Sequence, residues 1–218
     1  MAKTTPTKPL LIMMYGFPGS GKSTFARQLA ESMHVAHIQA DRIRSELFTE
    51  PRYDKQENTI ITQLMNYMTE EFLSAGVSVI YDDTLIRNSQ RMATRDLARR
   101  KQAQPVLIWF QMDPDSAFMR LEKRDRRRTE DKFAREYSED DFARTLAYMQ
   151  NPTNEEFIVV SGKHTFPSQR SAVFKRLSEL GLINNSTKQL NVVKPGLVNL
   201  IPGTGGRVDL SRRNVIIR

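Results

Sequence analysis

The chain has 218 residues, 39% of them hydrophobic, and carries a formal net charge of +8. This length and composition predict one α/β domain with a buried core, and the absence of cysteine excludes disulfides, thiolate metal sites and a cysteine nucleophile. The apolar run 10–15 is too short for a signal-peptide core or a membrane span, so we expect no membrane association and a cytoplasmic location.

Five apolar, β-branched runs alternate with helical patterns along the first 180 residues. The predicted strands cover residues 10–15, 35–39, 77–81, 106–111 and 157–160. The predicted helices lie near residues 22–33, 55–75, 88–102, 114–127, 139–150 and 168–180. The alternation predicts a three-layer α/β fold with a mostly parallel five-stranded sheet, in which ligands bind at the carboxyl ends of the strands.

The first predicted strand is followed by GFPGSGKST, residues 16–24, which fills the phosphate-loop pattern G-x-x-x-x-G-K-[ST] at every fixed position. Glycines let main-chain N–H groups wrap phosphate oxygens at a helix N-terminus, so the segment predicts ATP binding. We expect Lys22 to reach the β- and γ-phosphates and the Ser23 hydroxyl to hold Mg²⁺. The predicted nucleotide-binding residues are Gly16, Pro18, Gly19, Ser20, Gly21, Lys22, Ser23 and Thr24.

The second predicted strand is followed by Asp41 and Arg44. Asp41 suits two roles that do not exclude one another, the cap of the next helix and a general base that accepts the proton of an acceptor hydroxyl. Arg44 follows three residues later on the same helix face, where its guanidinium can bind an anionic group of the acceptor bidentately. Both residues are therefore candidate acceptor contacts, and Asp41 is the candidate catalytic base.

The third predicted strand is followed by Asp82 and Asp83. Carboxylates that close a strand beside a phosphate loop suit a Mg²⁺ or substrate contact, whereas the alternative is a helix cap or a solvated turn. Because strand side chains alternate, we expect only one of the two to face the site. Asp83 is the candidate on the substrate side, and Asp82 is the candidate metal contact.

An arginine-rich segment follows the fourth predicted strand and its helix. A lid that carries arginine over the transferred phosphate is typical of phosphoryl transfer, although runs of arginine also occur on solvated helix faces. We favour Arg124 and Arg128 as catalytic residues of such a lid. The loop 161–164 after the last strand suits either a place beside the nucleotide base or an ordinary surface position. The spacing of the three histidines predicts no zinc or iron site.

The charge of the chain is concentrated at its end. Residues 163–218 carry 10 basic and 2 acidic side chains, which accounts for the whole net charge. This basic stretch fits either an anionic partner such as nucleic acid or a solvated tail. Turn dipeptides dominate residues 181–218, which we predict to be a small basic appendage with short β-like runs at 189–193 and 215–217. Residues 1–9 are predicted to be a flexible N-terminus, which leaves 10–180 as the main domain.

The order of these motifs resembles the P-loop kinases of the polynucleotide-kinase and zeta-toxin group. The resemblance covers about residues 10–180 and rests on GFPGSGKST, the D-x-x-R of Asp41 and Arg44, the D-T of Asp83 and Thr84 with Arg91 after it, and the arginine-rich lid. It implies that Asp41 is the catalytic base, that Arg44 contacts the acceptor, that Asp83 organises the acceptor site and that a lid arginine stabilises the transferred phosphate. This chain has Leu85 directly after its D-T, whereas the polynucleotide kinase of phage carries Asn at that position.

These observations predict a kinase that transfers the γ-phosphate of ATP to a hydroxyl. The basic tail favours a polynucleotide 5′-hydroxyl as acceptor, and a small sugar-like or nucleotide-sugar molecule is the alternative. A motor or regulatory ATPase usually carries Glu after the strand-end Asp, where this chain has Asp83, and a GTP switch needs an N-K-x-D motif, which is absent. A non-kinase ATPase and a nucleotide-binding module without catalysis remain the alternatives of another class.

Overall fold

The structure is a computed structural model that describes residues 3–125, 127–128 and 131–184, all within the unit Met1–Asn184. Its strands are β1 Leu10–Gly16, β2 Val35–Gln39, β3 Ser78–Asp82, β4 Gln104–Gln111 and β5 Ile158–Ser161. Its helices are α1 Lys22–Ser32, α2 Ala40–Leu47, α3 Lys55–Ser74, α4 Asn88–Arg100, α5 Pro114–Glu122, α6 Glu139–Tyr148 and α7 Phe166–Glu179. The strands form one parallel sheet in the order β2-β3-β1-β4-β5, which confirms the predicted three-layer α/β fold.

β1 is the central strand, and its side chains are buried on both faces of the sheet. Strand side chains alternate, so even-numbered positions such as Ile12 pack with residues of α1 and α7, while odd-numbered positions such as Met13 pack with residues of α3 and α4. Such a continuous apolar run is typical of a parallel strand covered by helices on both sides. The core therefore fixes the carboxyl end of β1, where the phosphate loop begins.

Apart from α2 and the end of α5, the helices lie within two residues of their predicted bounds. α2 had no predicted bounds, although Asp41 and Arg44 were expected on one helix face, because its eight residues start directly after β2 without a connecting turn and are too few for a clear apolar period. α5 ends at Glu122 rather than near residue 127, since the basic side chains beyond Glu122 would repel one another on a helix surface. α7 begins earlier, at Phe166, because Pro167 is well accommodated in a first helical turn.

The described residues near the N-terminus pair with the main domain. Thr4 forms an isolated bridge with Met33 and Pro6 forms one with Ile183, while the N–H of Thr7 donates to the carbonyl of Leu182 at 2.9 Å. The polar composition of residues 1–9 gave no sign of these contacts. The β-like runs predicted at 189–193 and 215–217 lie outside the described residues. No helix in the described part of the chain combines the length and apolarity needed to cross a bilayer.

A buried ion-pair cluster supports the connection between β3 and α4. The fully buried Arg91 donates to the carboxylate of Glu155, with Nη2–Oε1 at 2.7 Å and Nε–Oε1 at 2.9 Å, and its guanidinium lies 4.8 Å from the ring centroid of Tyr15. Arg91 Nη1 also donates to the carbonyl of Leu85 at 3.0 Å, and Arg95 Nη2 lies 3.3 Å from Glu155 Oε2. The cluster thus holds the chain that follows Asp83 and Thr84.

Replacing Glu155 by Gln is expected to lower the free energy of unfolding by about 3 kcal/mol, because two buried guanidinium groups lose their counter-charge. Urea denaturation measures the loss. Glu156→Gln is the matched control, since its side chain is exposed one position away and its change should stay within about 0.5 kcal/mol. A loss below about 1 kcal/mol for Glu155→Gln would show that the cluster does not need the carboxylate charge.

Candidate active site

The phosphate loop joins β1 to α1 and has the backbone that its glycines allow. Gly19 and Gly21 have φ angles of +82° and +94°, in the left-handed region that favours glycine. A Cβ built at Gly19 would lie 2.2 Å from the carbonyl oxygen of Ala117, so only glycine permits this close approach of the loop to α5. Gly21 is the N-cap of α1, which places the positive end of that helix at the loop.

Lys22 and Ser23 are the first two residues of α1. They line a cavity of about 60 Å³, which we call the smaller cavity to distinguish it from a larger one described below. Lys22 Nζ donates to the carbonyls of Gly16 and Phe17, both at 2.8 Å. Burial lowers the pKa of Lys22 to about 8, and the nearby Asp82 carboxylate opposes that shift. Of the predicted nucleotide-binding residues, five line this cavity: Pro18, Gly19, Gly21, Lys22 and Ser23. Ser20 is buried and Thr24 is exposed on α1.

Asp82 and Asp83 both line the smaller cavity, so the expectation that only one of them faces the site is wrong. Side chains alternate between the two faces only within a strand, and β3 ends at Asp82. The direction of the Asp83 side chain is therefore not fixed by this alternation. Asp82 Oδ1 accepts a hydrogen bond from Ser23 Oγ at 3.0 Å, and its Oδ2 lies 3.0 Å from His37 Nε2. Asp83 Oδ1 accepts from the N–H of Thr84 at 2.6 Å, and burial raises the pKa of its carboxyl.

The oxygens of Ser23 and Asp82 fit a Mg²⁺ ion that accompanies a nucleotide. Mg²⁺ prefers hydroxyl and carboxylate oxygens and usually completes its shell with phosphates and water. Among the residues that the structure describes, no group of three or more His, Asp or Glu side chains is placed so that it could coordinate a metal ion. The donor set therefore suits a metal that arrives with phosphate.

Asp41 is the second residue of α2, inside its first turn. The N-cap of α2 is Gln39, so the alternative role of Asp41 as helix cap is not what the structure shows. Burial and the neighbouring Asp82 and Asp83 carboxylates raise the pKa of Asp41 to about 6, opposed by the Arg44 guanidinium and by the main-chain N–H of Arg135. A carboxyl with this pKa is ionised at neutral pH. Its pKa is also close enough to pH 7 for the carboxylate to accept a proton during a reaction.

A larger cavity of about 710 Å³ adjoins the smaller one. The two cavities share five lining residues, namely Ala40, Asp41, Asp83, Thr84 and Tyr137. Besides these two carboxylates, the larger cavity is lined by four cationic side chains, namely Arg44, Lys55, Arg87 and Arg135. Asp41 thus lies in the wall between a phosphate-loop cavity and a cavity with mostly positive charge.

Arg44 lines the larger cavity, but its guanidinium is already engaged. Its Nη1 donates to the buried carboxylate of Glu57, and its Nη2 donates to Asn58 Oδ1 at 2.8 Å. Burial would raise the pKa of Glu57, yet the hydrogen bonds from Arg44 and from the N–H of Arg52 hold it below its usual value. A bidentate contact from Arg44 to an acceptor would have to displace these partners, and that role stays a prediction.

The arginine-rich segment places its members differently. Arg124 lines the smaller cavity, with its Nε 3.8 Å from Asp131 Oδ1, whereas the side chain of Arg128 is exposed. Arg120 Nη1 donates to the carbonyl of Gly162 at 2.8 Å, which joins α5 to the loop after β5. A Cβ built at Gly162 would lie 2.8 Å from the carbonyl oxygen of Ser20, so the loop 161–164 packs directly on the phosphate loop.

The sequence interpretation missed three aromatic and basic side chains at the site. Tyr53 lies between α2 and α3, and Arg135 and Tyr137 lie between α5 and α6; all three line the larger cavity. Burial raises the pKa of Tyr137 to about 12, which keeps its hydroxyl protonated as a hydrogen-bond donor. These residues sit in connections with no periodic pattern, so only the tertiary structure identifies them.

Comparison with known proteins places the chain among P-loop kinases. A family model described as an AAA domain matches residues 11–152. The L-seryl-tRNA(Sec) kinase of Methanococcus maripaludis is 30% identical over 103 residues, which cover 46% of this chain and 40% of that protein, so the match spans less than half of the relative.

Two solved structures share the fold at low sequence identity. A sugar kinase from Janibacter sp. HTCC2649 superposes with a TM-score of 0.57 at 15% identity, covering 80% of this chain and 95% of the other. The APS kinase of Mycobacterium tuberculosis, in complex with AMPPNP and APS, superposes with a TM-score of 0.59 at 16% identity, covering 79% of this chain and 99% of the other. With its phosphate loop, its sheet order and a family model that covers more than half of its length, the chain belongs to this AAA-domain family of P-loop kinases.

Proposed function

We propose that the protein is an ATP-dependent kinase that transfers the γ-phosphate to a hydroxyl, with the 5′-hydroxyl of a nucleic acid as the favoured acceptor. The observation that carries the proposal is the position of Asp41 in the wall common to the two cavities. A base at that point contacts a hydroxyl from the larger cavity while the phosphate loop holds ATP on the other side. We also propose that it acts in the cytoplasm.

Each side chain around the smaller cavity has a role in this proposal. Lys22 binds the β- and γ-phosphates, and Ser23 with Asp82 would hold Mg²⁺, which neutralises phosphate charge when it is bound. Asp41 accepts the proton of the acceptor hydroxyl, and Asp83 helps to orient that hydroxyl. Arg124 covers the charge that develops on the transferred phosphoryl group. For Arg128, which is exposed, the catalytic role stays a prediction.

The charge of the larger cavity supports an anionic acceptor. Lys55, Arg87 and Arg135 line it together with Arg44, and cationic side chains of this kind bind phosphate groups of nucleic acids. The name of the relative from Methanococcus maripaludis gives a tRNA-linked serine as its acceptor, and that too is a hydroxyl attached to a nucleic acid. Both observations favour an acceptor that carries phosphates beyond its reacting hydroxyl.

A small sugar-like or nucleotide-sugar acceptor is the second candidate. The observation in its favour is the volume of the larger cavity, about 710 Å³, which lies within the range of small-molecule sites. Such an acceptor would fill the cavity without extending over the protein surface. The two candidates therefore differ in how strongly salt should weaken acceptor binding.

Incubation with γ-labelled ATP tests the proposal against a panel of 5′-hydroxyl RNA and DNA oligonucleotides, sugars and nucleotide sugars. We expect label on an oligonucleotide, with an affinity that falls as salt rises because counterions are released on binding. Label on a sugar or nucleotide sugar alone would select the small-acceptor candidate. ATP hydrolysis with no labelled acceptor in the whole panel would contradict the kinase proposal and favour an ATPase.

A further inference from the structure

Four side chains form an alternating stack beside the larger cavity. The guanidinium of Arg44 lies 4.5 Å from the ring centroid of Tyr53, and the guanidinium of Arg135 lies 4.4 Å from the same centroid. Arg135 is also 4.6 Å from the ring centroid of Tyr137. The stack joins α2, which carries Asp41, to residues 131–138, which we call the lid segment.

Tyr53 is held in its place by a dense set of bonds. Its φ angle is +57°, a left-handed conformation that is uncommon for a residue other than glycine and persists only where the surroundings fix it. The carboxylate of Glu57 accepts from the N–H of Arg52 at 2.7 Å, and Asn58 Nδ2 donates to the carbonyl of Tyr53 at 3.0 Å. The same Glu57 and Asn58 bind the guanidinium of Arg44. Two residues of α3 therefore fix both Tyr53 and its first cationic partner.

Arg135, the partner of Tyr53 in the lid segment, also contacts Asp41. The main-chain N–H of Arg135 faces the Asp41 carboxyl, while the Arg135 side chain lies between the rings of Tyr53 and Tyr137. Among the residues that the structure describes, Arg135 forms no salt bridge, so its side chain is held largely by the two rings. Because Tyr137 belongs to the lid segment itself, loss of the Tyr53 ring would remove the ring outside the segment that holds Arg135. The longer contact of the Arg42 guanidinium with the Phe133 ring, at 5.9 Å, would remain.

We propose that Tyr53 is a positioning residue that docks the lid segment onto the catalytic base by holding the guanidinium of Arg135. The inference rests on the proposed function in one respect, the role of Asp41 as base. A guanidinium over an aromatic face shifts an equilibrium by a factor of about 2 to 30, depending on desolvation. Docking and undocking of the lid segment should therefore respond to removal of the ring by about 10-fold.

The test compares Tyr53→Leu, which removes the aromatic face, with Tyr53→Phe, which keeps it. In the protein without added nucleotide, amide hydrogen exchange of residues 131–138 should be about 10-fold faster in Tyr53→Leu and should return toward the wild-type rate in Tyr53→Phe. Tyr67→Leu is the matched control, because Tyr67 lies on the exposed face of α3 away from the stack. It should leave the exchange unchanged.

Activity gives the second measurement, with γ-labelled ATP and a 5′-hydroxyl RNA oligonucleotide. In Tyr53→Leu we expect kcat to fall about 10-fold while KM for ATP stays constant, because the phosphate loop is untouched. Tyr53→Phe should recover most of kcat. Equal kcat and equal exchange in Tyr53→Leu and wild type would overturn the proposal.

The exchange measurement needs no acceptor, so it decides on docking even if the oligonucleotide is not phosphorylated and the proposed function fails. If Tyr53→Leu does not fold, Arg135→Gln removes the same contact from the lid side and leaves the Glu57 cluster intact. Faster exchange of residues 131–138 in Arg135→Gln supports the docking role, and unchanged exchange contradicts it.

Discussion

Replacing Asp41 by Asn is expected to lower the rate of phosphoryl transfer by about 10³-fold and to leave the affinity for ATP within a factor of about two. The amide keeps the shape of the side chain but accepts no proton from the acceptor hydroxyl. Lys22 and the loop glycines, the proposed ATP-binding groups, belong to the connection between β1 and α1 and are unchanged by the substitution. Initial rates with labelled ATP and calorimetric titration with ATP measure the two quantities.

The same residue predicts two pH dependences. Because burial and the two neighbouring carboxylates raise the pKa of Asp41 to about 6, transfer should fall as pH drops through about 6, where the base becomes protonated. The raised pKa also means that the ionised carboxyl costs stability above pH 6. Asp41→Asn should therefore have a higher Tm than wild type at pH 8, and the difference should shrink as pH falls through 6 and vanish below the ordinary Asp pKa of 3.8, where the carboxyl is protonated in both folded and unfolded chains.

Asp96→Asn is the matched control for Asp41→Asn. Asp96 is an exposed residue of α4 that pairs only with the neighbouring Arg99 among the residues that the structure describes, and a surface pair of this kind contributes little. It should change neither the transfer rate nor the pH profile. If Asp41→Asn transfers phosphate at the wild-type rate, another group is the base, or proton removal does not limit the reaction.

Replacing Lys22 by Ala is expected to weaken ATP binding by about 10-fold and to lower the rate of phosphoryl transfer by about 10²- to 10³-fold. A rate loss of this size is usual when an enzyme loses one hydrogen-bond donor to the charge that develops in the transition state. The buried ammonium lies in a site where water screens charge poorly, so its interaction with phosphate is strong. Its bonds to the carbonyls of Gly16 and Phe17 also hold the start of the loop. Titration with Mg²⁺-ATP and initial rates measure the two effects.

Lys175→Ala, on the exposed face of α7, controls for the loss of one positive charge. Its ATP affinity and rate should match those of wild type. Thermal denaturation of Lys22→Ala separates loss of binding from loss of fold. A folded Lys22→Ala variant with wild-type affinity for ATP would show that the triphosphate does not bind at residues 16–24.

The arrangement of the phosphate loop, Asp41 and Asp82 around one cavity was predictable because the motifs are local. The phosphate loop is a contiguous motif between a buried strand and a helix, and Asp41 and Asp82 each follow an apolar run that marks a strand. Parallel strands bring their carboxyl ends to one edge of a sheet, so residues after different strands meet there. The prediction failed where a local rule was extended past the end of its element, as with the side chain of Asp83.

The side chains that line the larger cavity could not be predicted in the same way. Tyr53 and Arg135 are 82 positions apart in connections that carry neither an apolar period nor a turn motif, and their contact depends on how α3 and the lid segment pack. Arg44 shows the same limit, because its spacing from Asp41 places it on the right helix face but says nothing of Glu57, which binds its guanidinium. Side chains that pair across the fold need the fold itself.

The packing of Gly19 against Ala117 and of Gly162 against Ser20 makes the shape of the phosphate loop a property of the whole domain. A nine-residue peptide with the sequence GFPGSGKST would contain every motif residue and would not hold the curved backbone, because the two walls that confine it come from α5 and from the loop after β5. Transplanting these nine residues into another strand–helix turn should therefore transfer the motif without its affinity for phosphate, unless both walls are transplanted too.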